Sequence, residues 1–131
     1  MRRRLFLLAP LAAALASPAL AGKAEKKKGG GESFIQMPTM TATAIRPDGR
    51  RGVLTVEAGV DAPDPAVRET AERALPRLRA AYAQILRTYA AALRPGFAPD
   101  ADRLSAQLQR ATDQTLGRKG ARLLLGTVMV R

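Results

Sequence analysis

DPAVRETAERALPRLRAAYAQILRTYAAAL, the stretch from Asp64 to Leu93, decides the fold. Val67, Ala71, Ala74, Leu75, Leu78, Tyr82, Ile85, Leu86, Tyr89 and Leu93 recur at steps of three and four, which draws one apolar stripe along a helix. The opposite face carries Arg68, Glu69, Glu72, Arg73, Arg77, Arg79 and Arg87, so the stretch reads as a surface helix with one dry side and not as a membrane span. Pro76 interrupts it. A proline inside a helix loses one hydrogen bond and clashes with the carbonyl four residues back, here Glu72, at about 3 kcal/mol. A straight helix over this stretch would also run about 45 Å, longer than the ~35 Å width of a compact domain of about 100 residues. The reading is therefore two helices in phase, Pro65 to Ala74 and Pro76 to Ala92. Asp64 caps the first, with Pro65 at the first helical position, where a missing donor does no harm. Pro95 and Gly96 end the second.

Upstream, Phe34 to Ile45 is rich in threonine and apolar residues and predicts a strand, with Pro38 holding its first half to a sheet edge. Arg46-Pro47-Asp48-Gly49 is a turn, proline presetting one dihedral and glycine supplying the left-handed one. In the next strand Leu54, Val56, Ala58 and Val60 alternate with Val53, Thr55 and Glu57, the pattern of a sheet with one wet face. The two strands make an antiparallel hairpin. Downstream of the helices, Phe97 is expected to plug the end of the core, and Asp100 or Asp102 to cap a third helix with the stripe Leu104, Leu108, Ala111, Thr115 and Leu116. Gly117 and Gly120 stop that helix, and Arg118 and Lys119 between them complement its dipole. Ala121 to Val130 is apolar on both faces, Leu123, Leu125 and Met129 on one and Leu124, Val128 and Val130 on the other. It is expected inside the sheet or paired with another subunit. The order strand, strand, helix, helix, helix, strand predicts an α+β domain, a small antiparallel or mixed sheet with helices packed on one face.

The 131 residues leave room for one domain and include no Cys, His or Trp. Thiolate nucleophiles, imidazole bases, the usual nitrogen and sulfur metal ligands and any disulfide are thereby excluded. Two carboxylate pairs, Asp61 with Asp64 and Asp100 with Asp102, stand beside prolines at helix starts, where capping accounts for them. The serines have no imidazole and no Ser-x-x-Lys partner, and Gly29-Gly30-Gly31 neither follows a strand nor opens a helix, so it is no phosphate loop. Tyr82 and Tyr89, seven apart, are expected in the core with exposed hydroxyls. The expectation is a protein that is not an enzyme and takes no cofactor or metal.

The N-terminus has the layout of an export signal. Arg2, Arg3 and Arg4 precede the apolar run Leu5 to Ala16, and Ala19-Leu20-Ala21 is an A-x-A cleavage site before Gly22. Residues 1–21 are read as a signal peptide, with a short membrane anchor as the rival, although the run falls short of the ~20 apolar residues of a spanning helix. Either Sec or twin-arginine export fits Arg3-Arg4-Leu5-Phe6-Leu7, and both lead to the periplasm. Residues 22–33 form a flexible Lys/Gly linker, in which Lys23, Lys26, Lys27 and Lys28 are candidates for contact with an anionic membrane surface. The whole chain has 22 Lys and Arg against 11 Asp and Glu; without Arg2, Arg3 and Arg4 the balance is 19 against 11, a net of +8. That charge fits arginines that simply decorate solvated helix faces; read as functional in an exported protein, it points to anionic lipid, an acidic protein or cell-wall polymer rather than to nucleic acid.

With this order laid out, residues 34–131 resemble the periplasmic domain of the FliL family of flagellar basal-body proteins. The matching residues are Val53-Leu54-Thr55-Val56-Glu57-Ala58-Gly59-Val60, Leu75-Pro76-Arg77-Leu78-Arg79, Ile85-Leu86-Arg87-Thr88-Tyr89, the helix Leu104 to Leu116, and Leu124-Leu125-Gly126-Thr127-Val128-Met129-Val130 as the last strand. The resemblance implies a non-catalytic scaffold bound to the inner membrane, which assists the motor by self-association and by contact with stator units. The final strand and the helix faces would make those contacts. The short, cleavable-looking N-terminal segment departs from the family pattern. A soluble periplasmic binding or adaptor module unrelated to flagella is the alternative.

Overall fold

The computed structural model describes residues 31–131; the expected export signal, its expected cleavage residues Ala19, Ala21 and Gly22, and the lysines at 23, 26, 27 and 28 lie outside them. Strand β3 (Arg51–Asp61) is the axis of a four-stranded antiparallel sheet. Its alternation places it there: Leu54, Val56, Ala58 and Val60 are buried on one side, and Val53 and Glu57 are exposed on the other. Strands β1 (Phe34–Gln36) and β2 (Met40–Ile45) share one edge of β3, and β4 (Arg122–Val130) occupies the other.

The single strand expected over Phe34 to Ile45 is therefore two. Gln36 faces Gly59 and Met40 faces Val56, so Met37, Pro38 and Thr39 stand opposite only Ala58 and Glu57. Pro38 has no donor for the ladder, and the chain bulges around it. Met37 keeps its place by donating its N–H to the Ala58 carbonyl at 3.1 Å and burying its side chain. At the far end Ile45 faces Arg51 across the turn, with the Gly49 N–H on the Arg46 carbonyl at 2.9 Å and Gly49 at φ 83°. This is the left-handed position that the turn reading required.

β4 departs further from expectation. It is an edge strand; β3 is the interior one. Val56 faces Val128 but Ala58 faces Leu125, so Gly126 and Thr127 together stand opposite Glu57. This bulge reverses the parity of the strand. Leu123, Leu125, Val128 and Val130 all turn to the core side, while Leu124 and Met129 turn away with Gly59 and Thr55. Gly126 inside an apolar run was the one sign of it.

Helices α1 (Pro65–Arg73), α2 (Leu75–Ala92) and α3 (Ala101–Leu116) cover the core side, α2 over β2 and α3 over β4. The break between α1 and α2 falls at Ala74, so α2 starts at Leu75, one residue earlier than expected. Pro76 is then in a first turn, where no bond is lost. Asp64 and Asp100 cap α1 and α3 through the N–H groups of Ala66 and Arg103, at 2.8 and 3.0 Å. The core joins Leu54, Val56 and Val60 to Leu78, Tyr82, Leu86, Leu104 and Leu108, with Ile85 and Leu125 half-buried beside them. Thr112, not Thr115, completes the α3 stripe and is fully buried against Tyr82. Phe97 does not plug the core. It is 63% exposed on the α2–α3 loop.

Candidate functional site

Among the described residues the sheet has two outer edges, β1 with β2 on one side and β4 on the other, and one side facing away from α2 and α3; the longer continuous edge is that of β4. Which backbone groups the edge offers follows from the ladder. Val53 and Arg131 exchange both hydrogen bonds, N–H to O at 2.8 Å and 3.0 Å. In an antiparallel pair such residues alternate with non-bonded ones, so the N–H and C=O groups of Val130 and Val128 point away from β3. At the other end of β4 the Leu123 N–H donates to Gln109 Oε1 at 2.8 Å, while Gln109 Nε2 donates to the carbonyl of Ala121 at 2.9 Å and to Asp113 Oδ1 at 3.0 Å. One carboxamide thus supplies the acceptor and the donor that a residue of a further strand would supply, and it closes that end of the edge. The open part runs from Leu125 to Val130.

Beside it lies a crevice between α3 and β4, walled by the small residues Ala101, Ser105 and Ala106 with Asp102 on the helix side and by Leu124 and Leu125 on the strand side. Small side chains on α3 leave room there for the side chains of an added strand. An exposed edge next to such a groove can pair with an extended segment, the ladder giving affinity and the groove selectivity.

The side of the sheet opposite the helices carries Thr41, Thr43, Val53, Thr55 and Glu57 from β2 and β3 and Leu124 and Met129 from β4. Phe34 lies across this side on Gly59, and a Cβ at Gly59 would run into its ring. Gly59→Ala is therefore expected to destabilise the domain by about 1–3 kcal/mol through overpacking. A Phe34→Ala background should remove most of that cost. Urea unfolding of both singles and the double tests it; additive costs would mean the ring is not the obstacle.

Three of the four carboxylates in the two pairs have local partners. Asp64 and Asp100 are engaged as caps, and Asp61 accepts from the Ser33 hydroxyl. Tyr89 reaches Asp100, whose backbone N–H donates to its hydroxyl at 2.6 Å. Tyr82 corrects the expectation of an exposed hydroxyl. It is fully buried and hydrogen-bonded to Thr112, and burial pushes its pKa above the ordinary 10.0, with Asp113 adding to the rise. Among the described residues no three His, Cys, Asp or Glu side chains gather into a metal site, and no helix is long and apolar enough to cross a membrane. Gln109 and the β4 bulge were missed by sequence reasoning. A glutamine on a helix carries no sign of the strand it will meet.

No family model, curated protein or solved structure matches this chain.

Proposed function

We propose that this chain is a non-catalytic scaffold of the FliL-like kind, exported to the periplasm by the Sec or twin-arginine route, which supports the stator and motility at the bacterial flagellar basal body. The observation that carries the reading is the unpaired backbone of β4 from Leu125 to Val130 beside the α3 crevice, a surface suited to strand pairing with a neighbouring copy or a stator component. The element order and the residues of the resemblance supply the flagellar part. Held by residues 1–21 as a short anchor and by the linker lysines, the domain would stand close to the inner membrane. Deleting the gene is expected to reduce swimming or swarming, most clearly in viscous medium. Motility unchanged under load would sink the flagellar assignment.

The Ala19-Leu20-Ala21 site favours a second reading, a soluble periplasmic adaptor that uses the same edge for an unrelated partner. The intact mass of the exported protein bears on the choice. Loss of Met1 to Ala21 with normal motility selects the adaptor, whereas a retained segment with impaired motility selects the anchored scaffold.

A further inference from the structure

The end of the domain formed by the β2–β3 turn, the α2–α3 loop and the close of β4 has an unusual surface. Two of the large apolar side chains exposed on the described residues meet there, Ile45 at 44% and Phe97 at 63%. With Leu93 and Val130 they line a shallow depression bordered by Arg46, Arg94 and Arg131. The Arg94 guanidinium lies 4.8 Å over the Phe97 ring. Arg50 and Arg51 follow in the same turn, where Asp48, paired with Arg46 at 3.3 Å, is the opposing charge. Asp100 borders the adjoining depression, but its carboxylate is engaged in capping α3. The charge at this end is thus predominantly arginine around apolar side chains.

We propose that this end is a contact site for an anionic phospholipid surface, with lipid phosphates held by Arg46, Arg94 and Arg131 and with Phe97 and Ile45 lodged at the boundary between headgroups and acyl chains. Guanidinium forks match phosphate oxygens in geometry as well as charge. Phe97 and Ile45 are exposed rather than enclosed, which suits a fluid interface better than a walled peptide pocket. The lysines at 23, 26, 27 and 28 carry the same sign of charge as the site and do not complement it. Phe34, where the first strand begins, pairs with Asp61 at the opposite end of β3, about 33 Å from this end along its eleven residues. The proposed site is independent of the motility assignment: a deletion without a swimming defect leaves it standing, and its failure leaves the β4 edge untouched.

The test is co-sedimentation of the chain from Gly22 onward, which contains every residue of the described fold, with vesicles of phosphatidylglycerol and phosphatidylcholine in equal parts and with phosphatidylcholine alone. Binding is expected to the anionic vesicles only and to weaken as salt rises. It should fall by about tenfold or more in Arg46→Gln/Arg94→Gln/Arg131→Gln and in Ile45→Thr/Phe97→Ser, and by a similar factor when these changes are added to a chain in which Lys23, Lys26, Lys27 and Lys28 are glutamine. Unchanged thermal melting of the variants shows that they fold. The chain has no Trp, so Phe97→Trp is a single emitter whose fluorescence should shift to the blue on binding. Absence of vesicle binding, equal binding to neutral vesicles, binding abolished by the lysine changes alone, or unshifted emission from bound protein would each overturn the proposal, as would capture of an acidic peptide without any lipid association.

Discussion

Leu54→Ala is expected to lower the unfolding free energy by about 2–5 kcal/mol, in the upper part of that range. Leu54 is fully buried at the centre of β3, between Ala42 on β2 and Val130 on β4. Ala42 is too small to lean into the cavity, and α2 and α3 are held above it by the rest of the core. A domain of this size has a total stability of about 5–15 kcal/mol, so the variant should be close to the limit of folding at physiological temperature. Val53→Ala is the control. Its side chain is 45% exposed on the open side of the sheet, and the change should cost under about 1 kcal/mol. Urea denaturation followed by circular dichroism separates the two; equal losses would contradict the placement of the core on the helix side of β3.

The second large effect lies in the buried pair Tyr82 and Thr112. The Thr112 hydroxyl donates to the Leu108 carbonyl at 2.8 Å, so in the pair with Tyr82 it is the acceptor and the phenol is the donor. Thr112→Val keeps the volume and leaves the phenol buried with nothing to receive its proton, at about 1–3 kcal/mol. Tyr82→Phe removes the donor instead and leaves Thr112 satisfied by Leu108, at about 0.5–1.5 kcal/mol. The double variant should cost no more than Thr112→Val alone, since it strands no polar group. A double-mutant cycle measured by denaturation gives the coupling, and zero coupling would show that the two hydroxyls do not meet.

The same phenol sets a pH limit. Its pKa is raised in the folded state relative to 10.0 in the unfolded chain, chiefly by burial. A raised pKa means that the unfolded chain gives up the proton first. The contribution is therefore complete below about pH 10 and is lost as pH climbs towards the folded value. Tyr82→Phe should flatten this part of the stability curve.

Much of the architecture was legible because it rests on periodicity and local chemistry. The alternation along Val53 to Val60, the stripe from Val67 to Leu93, the cap at Asp64 and the turn at Pro47 to Gly49 each follow from residues within a few positions of one another. The misreadings have a different origin. Phe97 is large and apolar, which predicts a place in the core, but its loop lies at the surface between helix ends, with the Arg94 guanidinium over its ring. The expected stripe runs through Thr115, but Thr112 fits helical spacing as well, and the position of Tyr82 on a neighbouring helix places it inside.

What the residues determined by themselves is the order of the elements from β3 to β4 and the face that β3 and the helices bury, since these depend on backbone preferences and on spacing within one segment. The tertiary structure alone decided which strand is central, where β4 changes parity, and that Gln109 seals one end of its edge while leaving Leu125 to Val130 open. Those outcomes depend on which segment lies beside which after long loops have closed. The free energy that selects among such pairings comes from contacts between residues far apart in the chain, so no local pattern encodes them.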